Sequence, residues 1–227
     1  MYSFLHENLL LVEVVLTRRT VSSLLRIALP VIGTAYYFSV RPRMLWTGTR
    51  LDERGRSFPG YDLIPAPNLQ ATRAVDIDAP PETVWAWIAQ MGRDGSGYYG
   101  LDSLSNGGVP SVAYLRKDLT APQQGAAMDN AYHILALEPN ELLLYGAFDL
   151  PIPPGETMER TTLIWLEPLP NGTTRLLIRT RGYTYGLFGV LYNLYYEVVD
   201  TLHGTAQLRN IKQRAEVLTR LQSSAAI

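Results

Sequence analysis

The chain is predicted to be an α+β protein in which a curved antiparallel sheet closes on a long C-terminal helix, with a helical extension at the N-terminus. Three observations carry this. Thr72–Ile77 alternates in polarity and runs straight into a helical stripe. Two hairpin signals follow between residues 130 and 181. The last elongated stretch, about Val190 to Gln222, keeps apolar residues at helical spacing.

The opening strand puts Val75 and Ile77 on one side and Ala74 and Asp76 on the other. Asp78-Ala-Pro-Pro stops it, and a proline just inside a helix start has a preset φ and no amide hydrogen to leave unpaired. From Glu82 the apolar residues Val84, Trp85, Ile88 and Met91 form one face. Gly92–Gly108 is glycine-rich and aromatic, a turn into a one-turn helix at Leu101–Ser105. Its Gly95-Ser-Gly-Tyr-Tyr-Gly100 has the letters of a dinucleotide fingerprint, but a helix rather than a strand precedes it. Val112–Leu115 reads as a short strand or turn, and Gln123–Met128 as an edge strand.

Tyr132–Leu137 and Glu141–Phe148 form a hairpin around Glu138-Pro-Asn140, and Asp149–Glu159 is expected as a loop. Thr161–Leu166 and Arg175–Thr180 form a second hairpin, turned at Asn171-Gly172. A two-residue turn there sets Trp165 opposite Ile178 and leaves Arg175, Arg179 and Arg181 on the other face. Three unpaired arginines are costly to bury, so the Trp165–Ile178 face is expected inward. A one-residue slip would invert this. In the final helix Leu208, Ile211, Ala215, Leu218 and Leu221 mark the buried stripe. Leu191, Leu194, Val198 and Leu202 extend it upstream, and Gly204 marks a bend or close approach.

With 227 residues, 47% hydrophobic and 18% charged, the chain can hold one ordinary domain and an appendage. The expected division is a hydrophobic helical segment over residues 1–45, a connector over 46–70 and the α+β domain over 71–222. No basic region precedes Leu9–Leu16, so no secretory signal is expected. Val21–Val40 contains Arg26 and falls short of the ~20 uncharged residues of a spanning helix. It reads either as a membrane-associated helix, with the domain on the cytoplasmic side, or as a helix packed on a wholly cytoplasmic protein.

Net charge −1 offers no nucleic-acid footprint, and the absence of cysteine excludes disulfides and thiolate chemistry. His6, His133 and His203 lack metal-ligand spacing, there is no Gly-x-Ser-x-Gly elbow, and no cofactor is implied.

Four stretches resemble the START-like (SRPBCC) superfamily, in particular its polyketide cyclase/dehydrase and lipid-transport-like branch. They are Ile77–Trp85 with Gln90-Met-Gly92, Gly97–Leu104, Trp165-Leu-Glu-Pro168 with Thr174–Arg181, and Asn210–Glu216. The resemblance spans about residues 59–218 and implies a helix-grip fold with an apolar cavity between sheet and helix. It carries no universal catalytic residues, so none is assigned. The expected ligand is a hydrophobic small molecule or lipid, held without catalysis. The expected lining is Trp165, Ile178, Thr180, Phe148, Tyr99, Tyr98 and Tyr145. The alternative is a cyclase- or dehydratase-like enzyme on an aromatic or polyketide substrate, with Glu167 or His133 as its acid or base. A membrane-tethered module that binds a partner is the third possibility.

Overall fold

The computed structural model describes residues 26, 28–129 and 131–225, and the chain divides into two compact units, 1–43 and 44–227. In the first unit residues 28–35 are helical and pass into a π-helical turn, Tyr36–Val40. Leu29, Val31, Ile32, Tyr37 and Phe38 of this helix are exposed. Among the described residues no helix is long and apolar enough to cross a membrane. Residues 21–25 and 27 of the apolar run lie outside the described residues.

Helix α1 (Arg41–Leu45) leads into the second unit, followed by α2 (Leu51–Gly55). Then come β1 (Leu69–Ile77), α3 (Pro81–Gln90), α4 (Asp102–Ser105), β2 (His133–Glu138), β3 (Leu142–Ile152), β4 (Glu156–Pro168), β5 (Thr174–Thr184) and α5 (Gly186–Ala225). The five strands form one antiparallel sheet in the order β1-β5-β4-β3-β2, and α5 packs across its concave face. This is the helix-grip architecture.

The opening unit forms as its two periods demand. Pro81 is the first residue of α3, and Ala79 N–H donates to Ile77 O at 2.8 Å to make the corner. Val84, Trp85 and Ile88 of α3 enter the concave core with Leu143, Ile164, Leu166, Leu176, Ile178, Leu208 and Ile211. Val112–Leu115 forms neither strand nor helix, and Gln123–Met128 contributes only the bridge Ala127–His133.

Asp149–Glu159 is not a loop. β3 runs on to Ile152 and β4 begins at Glu156, so only Pro153-Pro154-Gly155 turns the chain. The pairing moves from Ala147–Arg160 to Leu150–Met158, one residue longer on β3 than on β4. That bulge, with Asp149 at φ 55°, bends the far end of the sheet.

The second hairpin slips by one residue from the expectation. Leu169 N–H donates to Thr173 O at 2.9 Å and Gly172 N–H to Leu169 O at 3.1 Å. Pro170-Asn171-Gly172 is therefore a three-residue loop in which Gly172, at φ 76°, alone takes the left-handed position. Ile164 then faces Ile178, and Trp165 faces Leu177. Ile178 is concave as expected, but Trp165 lies on the convex face with Leu163, Leu177 and the three arginines.

The convex face is nevertheless buried, because the connector folds over it. Phe58 packs edge-on against Trp165 at 5.6 Å, and Tyr61 lies over the Arg181 guanidinium at 3.7 Å. Arg175 Nε and Nη2 donate to the two carboxylate oxygens of Glu53, each at 2.8 Å. Arg179 donates to the carbonyls of Arg56 and Glu53 and to the Thr72 hydroxyl, and Arg181 to Ile64 O and Gln70. The arginines are buried because each guanidinium finds acceptors on the connector or the neighbouring strand, although Arg181 Nε is left without a partner.

Helix α5 has two halves. Leu208, Ile211 and Ala215 are buried as their spacing predicts, but Leu218 is only half-buried and Leu221, at the end of the expected stripe, is exposed. Upstream the expected polarity is reversed: Leu191, Leu194, Val198 and Leu202 are exposed at 62%, 43%, 41% and 57%, while Asn193, Glu197 and Asp200 are buried. The concave strands explain this, since Arg73 of β1 and Arg160 of β4 lie beneath this half and require acceptors. Gly204 is a close approach, where a Cβ would stand 3.2 Å from Arg73 Nη1.

Candidate functional site

The concave face is packed solid under the C-terminal half of α5 and hollow under the other. The hollow is a cavity of about 260 Å³. It is walled by Tyr132 ahead of β2, Tyr145 of β3, Arg160 of β4, and Tyr196, Asp200 and His203 of α5, with Tyr98, Leu104 and Asp129 from the loops. The bulge in β3 stands beside Arg160 and curls the sheet around the opening. Residues 196, 200 and 203 recur at spacings of four and three, which puts them on one face of the helix.

Asp200 organises the polar wall. Its Oδ2 accepts from Arg73 Nη1 at 2.6 Å and its Oδ1 from Arg160 Nη2 at 3.1 Å. Arg160 Nη1 donates to the Tyr132 hydroxyl at 3.3 Å, and its guanidinium lies 4.6 Å from the Tyr196 ring centre. Burial works against the charge on Arg160, but Tyr132 and Asp200 outweigh it and hold its pKa above the usual value. At the mouth Tyr98 donates its hydroxyl to Asp129 Oδ2 at 2.5 Å, and Asp129 Oδ1 accepts from the Ala131 and Tyr132 amides. Burial pushes both the Tyr98 and Tyr145 hydroxyls above the ordinary phenol range.

His203 is held by a backbone contact. Its Nδ1 accepts from Leu101 N–H at 3.2 Å, which leaves the proton of the neutral ring on Nε2. The ring lies so close to Gly100 that a Cβ there would come within 2.1 Å of Cε1. Burial, and then the Arg160 charge, lower the His203 pKa. The imidazole therefore offers an N–H, and its one basic nitrogen is engaged. Both carboxylates on the wall already accept hydrogen bonds. The arrangement is equipped to donate to an oxygen more than to remove a proton.

Of the residues expected from the sequence, the cavity gathers Tyr98 and Tyr145. Ile178 and Thr180 are buried, with Ile178 in the solid part of the core. Tyr99 is fully buried, edge-on to Trp87, and its hydroxyl accepts from Gln90 at 2.8 Å. Phe148 sits in the bulge, 42% exposed, and Trp165 is on the opposite face. Glu167 pairs with Arg56 beside Trp165, and His133 is exposed, so neither proposed acid or base lines the cavity. Sequence reasoning missed Arg160, Asp200, Tyr132 and Tyr196, and set His203 aside as an isolated histidine. The signal available was Tyr196, Asp200 and His203 on one helical face, which the apolar spacing beside it obscured.

A second depression, about 640 Å³ and open, lies between α3, the 113–117 segment and the end of α5. It is lined by Trp87, Tyr114, Leu115, Val217, Leu218 and Leu221, with Lys117 and Arg214 at its edge. Among the described residues no group of His, Asp and Glu could hold a metal.

The fold and cavity define a helix-grip protein with a small, polar-walled hollow. Comparison with family models gives no match, and no curated protein matches. Solved structures do resemble it. Protein CV1439 from Chromobacterium violaceum is 20% identical, with 65% of this chain and 96% of that one covered at a TM-score of 0.39. Protein NE0264 from Nitrosomonas europaea is 16% identical over 70% of this chain and 97% of its own, at 0.40. The di-domain ARO/CYC StfQ from the steffimycin biosynthetic pathway is 13% identical over 70% of this chain and 55% of its own, at 0.43. Superposition at this level supplies no functional argument.

Proposed function

We propose that the protein binds a hydrophobic small molecule in the cavity between α5 and the concave face, without transforming it. The observation that carries this reading is the hollow itself: four tyrosines line it, beside the buried apolar cluster that fills the concave face under the C-terminal half of α5. At about 260 Å³ it falls just below the ~300–1,000 Å³ usual for ligand pockets. That volume favours a compact ring system over a long-chain lipid. Among the described wall residues each carboxylate and the His203 basic nitrogen is engaged, which favours a binder over an acid–base enzyme.

The enzyme reading, a cyclase or dehydratase acting on an aromatic or polyketide substrate, is favoured by one feature. Arg160 and His203 both line the cavity, and each is a donor of the kind that can polarise a substrate carbonyl. The test is native mass spectrometry of freshly purified protein with extraction of the ligand, followed by displacement of an environment-sensitive apolar dye. Retention of a compact hydrophobic molecule, released by Tyr145→Ala, is expected. No retained ligand and no dye binding would overturn the reading, and turnover of the extracted molecule would shift it to the enzyme.

A further inference from the structure

The hydrogen-bond inventory of the cavity wall narrows the ligand, provided that the cavity is the binding site. The anionic oxygens are all occupied. Asp200 receives Arg73 and Arg160, and Asp129 receives Tyr98 and two backbone amides. Glu197, one turn before Asp200, is buried but does not line the hollow. The donors, by contrast, are left over. A guanidinium has five N–H groups. Arg160 commits one on Nη1 to Tyr132 and one on Nη2 to Asp200, and its buried Nε–H has no partner. The Tyr132 hydroxyl accepts from Arg160, which leaves its own proton to give. His203 presents Nε2–H because Nδ1 is taken by Leu101.

The charges themselves are balanced: Arg73 and Arg160 share Asp200, with Arg73 1% and Asp200 4% exposed, and Asp129 adds a second carboxylate to the wall, so the preference for an acid rests on the donors Arg160 has left. A guanidinium with donors to spare favours an anion over a neutral acceptor, because charge-assisted hydrogen bonds are about twice as strong as neutral ones. Tyr98, Tyr132, Tyr145 and Tyr196 supply ring faces around the same space. We propose that the cavity selects a compact aromatic or alicyclic carboxylic acid, its carboxylate received by Arg160 and the His203 Nε2–H and its ring by the tyrosines.

The test compares 2-naphthoate with its neutral isostere 2-naphthamide and with 2-naphthylmethylammonium, by calorimetry on the full chain. Naphthoate is expected to bind at least about tenfold tighter than the amide, the size of one charge-assisted hydrogen bond, with no binding of the cation. Arg160→Met should bring acid and amide level, while Arg160→Lys retains part of the preference; a melt of each variant confirms that it is folded. Equal affinity for acid and amide in the parent protein overturns the inference and leaves the hydrophobic cavity standing. If none of the three ligands and no apolar dye binds, the cavity reading itself fails. If Arg214→Ala removes the acid preference and Arg160→Met does not, the acid sits in the outer depression and the inference is wrong.

Discussion

Arg73 of the first strand and Asp200 of the long helix meet at 2.6 Å in the interior, 1% and 4% exposed. This bond ties together residues 127 positions apart in sequence. It sets which side of the N-terminal half of α5 turns inward, and so which residues face the cavity.

Removing Asp200 should be expensive. Asp200→Ala leaves Arg73 and Arg160 without their shared anion, and breaking a buried pair this way costs about 3–5 kcal/mol. Urea denaturation of the variant is the measurement. The triple variant Arg73→Met/Arg160→Met/Asp200→Leu is expected to recover much of the loss, since no member of the cluster then remains charged. Parent-like stability in Asp200→Ala would remove the pair from its structural role.

The two faces of the sheet can be told apart by ligand binding. Trp165→Ala removes the Phe58 contact on the convex face. It should destabilise by less than the ~3–5 kcal/mol of a fully buried aromatic and leave apolar-dye affinity unchanged. Tyr145→Ala should weaken the dye. The opposite outcome would restore the two-residue turn and the inward Trp165.

Helix α5 predicts an unusual pattern of tolerance. Leu191→Lys and Leu202→Lys fall on exposed positions and should change stability by no more than about 0.5 kcal/mol. Ile211→Asp puts an unpaired charge into a fully buried site and should cost ~3 kcal/mol or more. Thermal melts decide. If the lysine variants lose as much as the aspartate, the inverted polarity is wrong.

Two groups set distinct pH windows. His203 titrates in the folded protein below its ordinary 6.5, chiefly through burial. Its contribution to stability is present above that value and is lost as pH falls from it toward the folded pKa. Glu53 is held below its ordinary 4.5 by Arg175 against the opposing effect of burial. Its contribution is present above 4.5 and fades at lower pH, through the folded pKa. His203→Asn should flatten the stability profile just below pH 6.5, and Glu53→Gln the acid limb below 4.5. Unaltered profiles would refute each.

The helix over residues 28–40 exposes Leu29, Ile32, Tyr37 and Phe38. If these hold the protein to a lipid surface, Ile32→Glu/Phe38→Glu should shift it from the vesicle-bound to the free fraction in flotation. Equal partition of parent and variant would refute membrane contact through this helix.

Much of the architecture was legible because local periodicity reports local structure. β1, the turn into α3, both hairpins and the Leu208–Ala215 stripe could be read that way. The missing parts depend on partners remote in the chain. Arg175 is buried because Glu53, 122 positions away, and the Gly48 carbonyl receive it. An argument from the cost of burying arginine fails when its acceptors lie in an aperiodic connector. Asn171-Gly172 fits both a two- and a three-residue loop, and the one-residue difference carried Trp165 to the other face. Of the cavity, the loop and strand tyrosines Tyr98 and Tyr145 were visible. The Arg160–Asp200–His203 wall was hidden, since exposed leucines on α5 imitate a core stripe.

The connector laid over the convex face alters how the domain opens. In β5 ten of eleven residues are buried, so this strand has no solvent face from which to fray. Its amides are expected to be the last to exchange with deuterium, and β2, at the sheet edge with mixed burial, among the first. Protection of β5 then depends on Phe58 and Tyr61 staying in place. The aperiodic segment thus belongs to the same cooperative unfolding unit as the central strands, and a protease cut within it should release the protection of the sheet along with the strap.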